Sequence, residues 1–389
     1  MRILFLSPWY PFPPDNGAKQ RVYHLATALA RRHELDLVTL IDGGPPPDLA
    51  HDTHGINVRT LAPTHPKNPR RFGGLDLGLV GSQPRSVSAA YHPELAWSIA
   101  DQVQRGNYDI VIASGWQTAL YWKCFSDTPS IYEELELGVH FTKMARADSW
   151  LEKVRHRLSL LKLRRYLRSV LPEFRRCTVV SNEERRLLAS LIPEYRSVSV
   201  VPNGVDVPDD LDGREDVRHN SMIYCGSLTY FANLDAVRWF LAEIYPIIKS
   251  ELDGACFILT GDHADFELPE AEGVEKTGMV DDVHRYVRQS MVSVAPIRVG
   301  GGTRIKILEA MANGTPVVST TKGAEGLGAR SGEHLMLADS AQEFAAGVVR
   351  LFQDGDLYRR IQVQAHDFVR TRYDWSTILP TFLDVVESA

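Results

Sequence analysis

Between Val294 and Thr320 the chain reads VAPIRVGGGTRIKILEAMANGTPVVST, and this stretch concentrates residue types that can act together on an anion. Gly300, Gly301 and Gly302 let backbone N–H groups approach a ligand with no Cβ in the way. Arg304 and Lys306 add two positive charges, and Glu309 follows Lys306 by one helical turn on the same face. A helix entered through a glycine turn offers unpaired N–H donors and the positive end of its dipole, which suits a diphosphate. A ligand whose phosphates met that turn would present sugar hydroxyls to the Glu309 carboxylate, and a nucleoside diphosphate has that shape. The same residues would equally serve as an i,i+3 surface pair after a plain turn.

The elements that must position these residues follow from local pattern. Residues 291–295 read as a buried strand, 303–313 have helical spacing, Gly314 ends that helix, and 316–319 start the next strand. The chain opens in the same style, with an apolar strand over 2–7, a Pro-rich loop and a helix over 18–31. Ligands meet such parallel sheets at the carboxyl ends of their strands, which puts Asn16, Gly17, Lys19 and Arg21 at the rim of a cleft. Further strands are expected over 35–41, 57–61, 109–113 and 130–132, with Trp116, Glu133 and Glu134 just past strand ends. Glu133, Glu134 and Glu136 form a carboxylate cluster in which one member could orient or deprotonate a hydroxyl, or a cluster that only opens a solvated helix. Residues 63–88, rich in Gly, Pro and Arg, read as a long excursion, and a single helix is expected over 234–249.

The stretch GGGTRIKILEAMANGTPVVSTTKGAEGL resembles the donor-site signature of glycosyltransferase family 4, the group 1 sugar transferases. VPNGVD at 201–206 resembles the family phrase that opens the crossover between its two lobes. The resemblance implies a GT-B fold of two α/β, Rossmann-like lobes with an interlobe cleft, and a C-terminal helix that crosses back to the first lobe. It implies a retaining, metal-independent transfer of a sugar from a nucleotide-diphosphate sugar to a hydroxyl, with no cofactor. By the same resemblance Glu309 holds the ribose, Gly17, Gly226 and the turn from Gly300 through Thr303 lie near the diphosphate, and Met279 and Val280 lie beside the base. Arg304 and Lys306 stabilise the leaving group, and Glu134 joins them as a catalytic candidate. Lys19, Arg21, Trp116 and Glu133 are acceptor-side candidates. The sequence departs from the family pattern at Gly301, where a second carboxylate is usual, and in having no histidine close after the strands at 109–113 and 130–132. These departures keep two other readings open: a sugar-nucleotide-binding protein without transferase activity, and an epimerase or hydrolase of the nucleotide sugar.

Length and charge bound these readings. At 389 residues the chain suits two domains, expected as 1–205 on the acceptor side, 206–373 on the nucleotide-sugar side, and a crossover helix over 374–389. A net charge of −6 gives no global attraction to nucleic acid. Cys124, Cys177, Cys225 and Cys256 lack metal-ligand spacing, and neither His51 with His54 nor Asp210 with Asp212 sits in a metal-binding context, so no metal site is expected. The opening MRILFLSPWYPF is too short an apolar run for a signal peptide or spanning helix. A cytoplasmic location is expected, with the inner face of the cell membrane open because residues 150–171 form a strongly basic amphipathic helix. Those cations could instead be solvated above a stripe packed on the sheet. Partners are then a nucleotide sugar and a glycan, lipid-linked or small-molecule hydroxyl, in bacterial envelope or exopolysaccharide assembly.

Overall fold

The computed structural model describes residues 1–41, 53–63, 87, 90–138, 141, 149–209, 211, 214, 216–263, 266–300 and 304–389. The chain forms two compact units, Met1–Pro202 with Leu379–Ala389, and Asn203–Ile378.

In the first unit, short apolar runs become strands covered on both faces, as parallel sheets require. The strands are β1 (Arg2–Ser7), β2 (Glu34–Leu40), β3 (Asn57–Leu61), β4 (Ile110–Ser114), β5 (Ser130–Glu133), β6 (Arg176–Val179) and β7 (Val198–Val200). They pair in parallel in the order β3-β2-β1-β4-β5-β6-β7, so the direction of winding reverses between β1 and β4. Leu4, Leu6, Val111, Ala113, Tyr132 and Val179 carry the core on one side of this sheet. The loop leaving β1 enters the helix Gly17–Ala30, where the Asn16 side chain caps the first turn by accepting the Lys19 N–H at 3.1 Å.

The second unit repeats the plan. Strands β8 (Arg218–Cys225), β9 (Cys256–Thr260), β10 (Val274–Gly278), β11 (Ser290–Ala295), β12 (Val317–Ser319) and β13 (Met336–Leu337) pair in parallel in the order β10-β9-β8-β11-β12-β13. This is the doubly wound Rossmann order, with its reversal between β8 and β11. The helix expected over 234–249 is instead two, Phe231–Trp239 and Tyr245–Glu251, joined by a π-turn over Phe240–Ile244. Pro246 has no N–H to donate into the preceding turn, and a register change there accommodates it. Helix Pro93–Gly106 lacked a corresponding expectation, while most of the excursion expected over 63–88 lies outside the described residues.

Both ends of the second unit meet at the VPNGVD segment. Val205 N–H donates to the Tyr373 carbonyl at 2.8 Å, and a Cβ on Gly204 would lie 2.7 Å from the Trp375 ring. From Leu379 onward the terminal helix Trp375–Glu387 belongs to the first unit. There Glu387 meets Arg32 and His33, each at 3.2 Å.

Arg21, on the first helix, is fully buried and paired with Glu133 at the end of β5. Its Nη2 lies 2.6 Å from Glu133 Oε1, its Nη1 donates to the Pro202 carbonyl at 3.0 Å, and Nη2 also donates to the Val201 carbonyl at 3.1 Å. Ser114 Oγ donates to the other Glu133 oxygen at 2.7 Å. One cation thus links the first helix, β4 through Ser114, β5 and the chain leaving β7. Arg21→Ala would leave the Glu133 charge buried without its cation, and a loss of about 3–5 kcal/mol of first-unit stability is expected in urea unfolding. Arg21→Met with Glu133→Leu should cost much less.

Candidate functional site

Three strand ends of the second unit come together at glycines. Gly226 N–H, just past β8, donates to the Thr260 carbonyl at 3.0 Å, and Gly261 N–H, just past β9, donates to the Gly278 carbonyl of β10 at 2.9 Å. Gly261 has φ +115, and a Cβ there would stand 2.7 Å from the Gly226 carbonyl group. Only glycine lets these turns approach so closely. A Cβ on Gly226 would in turn meet Asn233 Nδ2 and Lys306 Nζ, each at 2.9 Å.

Lys306 reaches this floor from the helix Ile305–Ala312, which follows β11. Its ammonium sits 4.1 Å from the centre of the Tyr224 ring and donates to the Tyr224 hydroxyl at 2.8 Å and to Asn233 Oδ1 at 2.9 Å. The Tyr224 hydroxyl donates to the same Asn233 oxygen at 2.7 Å, and Asn233 Nδ2 donates to the Ser227 carbonyl at 2.7 Å. Desolvation holds the Lys306 pKa down to about 7; Arg304 pushes it the same way, while Cys225 and Glu309 oppose the shift. This is a half-buried cation poised to gain charge beside an anion.

Arg304 is buried at the start of the same helix, and Glu309 follows Lys306 by three residues, half-buried. Gly300, at φ +101, lies against both sides of the site: a Cβ there would be 3.0 Å from the Tyr230 hydroxyl and 3.4 Å from an Arg304 nitrogen. Arg298 fixes the preceding loop with a two-pronged contact to Asp235, at 2.8 and 3.2 Å, and lies over the Trp239 ring. Ser319 Oγ, at the end of β12, donates to the Ala295 carbonyl at 3.2 Å and so braces the end of β11. Gly301, Gly302 and Thr303 lie outside the described residues.

The structure therefore brings Gly226, Gly300, Arg304 and Lys306 together at the β8/β11 reversal, with Glu309 one turn away. Met279 and Val280 follow β10, Met279 almost fully exposed and Val280 half-buried. Tyr224, Tyr230, Asn233 and Asp235 were not singled out from sequence. The segment GSLTYFANLD lacks Arg and Lys, and its role as the bed for a lysine from another helix has no local signature.

In the first unit, Gly17 opens its helix, and Lys19 is engaged with Asp15 at 2.7 Å. Trp116, 37% exposed, stands in the short helix Gly115–Ala119 at the end of β4. Arg21 and Glu133 correct the sequence expectation: both side chains are sealed inside, because each neutralises the other, and neither stands at a rim. Glu134 turns away from β5 in left-handed backbone, at φ +59, its N–H donating to Thr178 Oγ1 at 3.0 Å. Its carboxyl keeps 27% of its surface. Desolvation raises its pKa from 4.5 to about 8, Arg21 opposes the rise, and Glu133 and Glu136 add to it. Among the described residues no group of three His, Cys, Asp or Glu side chains is placed to hold a metal ion, and no helix is long and apolar enough to cross a membrane.

Two doubly wound units, the second with a glycine floor and enclosed cations at its strand reversal, define a two-lobed protein of the GT-B class. Residues 15–208 match the family described as Glycosyltransferase Family 4, and residues 219–354 match Glycosyl transferases group 1. The chain belongs to this glycosyltransferase family. A relative in Klebsiella pneumoniae, an uncharacterized 44.6 kDa protein in cps region, is 24% identical over 41% of this chain and 44% of its own length. The phosphatidyl-myo-inositol mannosyltransferase of Mycobacterium leprae is 34% identical over 38% of this chain and 42% of its own length. The chain thus spans less than half the length of the curated relatives it matches. The structure of Anabaena HepE in complex with UDP and glucose shares the fold, with a TM-score of 0.68 at 16% identity over the whole of both chains.

Burial of the Glu134 carboxyl ties stability to pH. The folded protein holds this proton more tightly than the unfolded chain, so the associated stability is present below about pH 4.5 and is lost as pH rises through about 8. Glu134→Gln removes that dependence. Across this window the wild type is expected to lose stability relative to the variant, read as a widening difference in melting temperature.

Proposed function

We propose that the protein transfers a sugar, with retention of anomeric configuration and without a metal, from a nucleotide-diphosphate sugar to a hydroxyl. The observation that carries this reading is the half-buried Lys306 ammonium, held on Tyr224 and Asn233 beside Gly226, with Glu309 on the same helix and Arg304 at its start. A diphosphate would add negative charge beside Lys306 and Arg304, and Glu309 accepts hydrogen bonds from the ribose hydroxyls. In the transfer, the bond from the anomeric carbon to the phosphate oxygen breaks with its electron pair left on the diphosphate. The acceptor oxygen bonds to the same face, and its proton passes to the departing phosphate. Arg304 and Lys306 stabilise the charge that builds on the leaving group. Gly17, Gly300 through Thr303, Met279 and Val280 complete the donor contacts. In the first unit, Lys19 and Trp116 are the groups assigned to the acceptor, and Glu134 is the catalytic candidate that would orient its hydroxyl.

The donor reading is supported by the UDP and glucose bound in the Anabaena protein of the same fold. The relatives' names, one in a cps region and one acting on phosphatidyl-myo-inositol, support a glycan or lipid-linked acceptor in envelope or exopolysaccharide assembly. That work is sited in the cytoplasm, at the inner face of the cell membrane.

The reading is tested by thermal stabilisation with a panel of UDP, GDP, ADP, dTDP and CMP sugars. One of them, at about 100 times its dissociation constant, is expected to add ~2.7 kcal/mol to the wild type, and Glu309→Ala is expected to lose the response. No response from a folded wild type would remove the donor site. A second outcome follows from Lys306. A bound diphosphate favours the charged ammonium, so binding takes up a proton above about pH 7, where the free protein's Lys306 is losing its own. Affinity for the nucleotide sugar should then fall with rising pH, approaching about tenfold per unit, and Lys306→Met should flatten the profile.

A further inference from the structure

The helix Trp150–Val170 carries seven Lys and Arg against one Glu, in a chain whose net charge is −6. Its C-terminal half is anchored, with Tyr166, Leu167 and Val170 buried in the first unit's core. The face turned away from that core is apolar. Trp150, Leu151, Val154, Leu158 and Leu161 are 71%, 61%, 43%, 54% and 58% exposed. At 3.6 residues per turn these five fall within about 100° of one another on the helix surface. Lys153, Arg157 and Arg164 run along one shoulder of the stripe, and Arg155 and Lys162 along the other. Glu152 lies on the core side and closes the capping box with Ser149.

An exposed apolar stripe about three turns long needs a cover, and the shoulders say what kind. Cations on both sides suit a surface that is apolar at depth and anionic above, because Lys and Arg stems can lie along the stripe while their heads reach headgroup phosphates. A second copy of this chain suits it poorly. A two-fold contact sets the same patch against itself, so cationic shoulders would face cationic shoulders.

We propose that residues 150–161 dock the protein on an anionic lipid surface, the helix lying in the plane of the bilayer with Trp150, Leu151, Val154, Leu158 and Leu161 inserted. This gives the membrane location of the functional reading its residues and its lipid charge. It uses no residue of the donor site, so either reading can fail alone.

The protein is co-sedimented with vesicles of phosphatidylcholine alone and of phosphatidylcholine with about one third phosphatidylglycerol. Wild type is expected to partition onto the anionic vesicles, increasingly weakly as salt is raised. Arg155→Gln and Arg157→Gln should each weaken partitioning about fivefold. The triple variant L151S/L158S/L161S is expected to stay in the supernatant. Its melting temperature and its nucleotide-sugar response should match wild type, because the substituted side chains are exposed. Failure of the wild type to partition, partitioning of the triple variant like wild type, or equal binding to neutral vesicles overturns the proposal. So does a wild-type dimer that the triple substitution converts to monomer in sedimentation velocity, since the stripe would then belong to a second copy.

Discussion

Burying the Lys306 ammonium removes water that a tyrosine ring and two neutral oxygens replace only in part, and this desolvation lowers its pKa. The second unit's site is arranged around that deficit. Gly226 and Gly261 have no side chains because the lysine and the neighbouring backbone occupy the space where a Cβ would go. Tyr224 and Asn233 hold the ammonium in place, and the Arg298 contact to Asp235 steadies the loop that leads to its helix. The ammonium is thereby held in one place by its own neighbours.

The first unit treats a buried charge in the opposite way. Arg21 and Glu133 satisfy each other, and two carbonyls and a serine hydroxyl absorb the remaining capacity. Such a pair contributes little net stability, yet it leaves a severe penalty if one member is removed. It joins elements far apart in sequence at the β1/β4 reversal. Next to it, Glu134 is desolvated without equivalent compensation, and burial raises the pKa of its carboxyl. Adjacent residues of the same type thus take different physical roles because one points inward from the last position of β5 and the next turns away in left-handed backbone.

Charge is also unevenly distributed over the chain. A protein of net negative charge gathers seven cations on one helix, and that helix buries its C-terminal side chains while leaving an apolar stripe outside. Solvation of the cations alone would account for the charge; it leaves the five exposed apolar side chains between them without a reason.

The sequence by itself determined the two parallel sheets, a helix after β11 carrying Lys306 and Glu309 with Arg304 at its start, and the basic helix expected over 150–171. Each of these is written in local periodicity, turn chemistry or a contiguous motif, and such signals survive without knowledge of long-range contacts. Only the tertiary structure decided what those residues face. Leu151, Val154, Leu158 and Leu161 have the same helical spacing as Leu160, Leu163, Leu167 and Val170, and periodicity cannot say which stripe meets the core. Arg21 and Glu133, 112 residues apart, become partners only when the first helix packs beside the end of β5. Tyr224 and Asn233 acquire a lysine from a helix more than seventy residues later, because parallel strands bring distant carboxyl ends to one edge of the sheet.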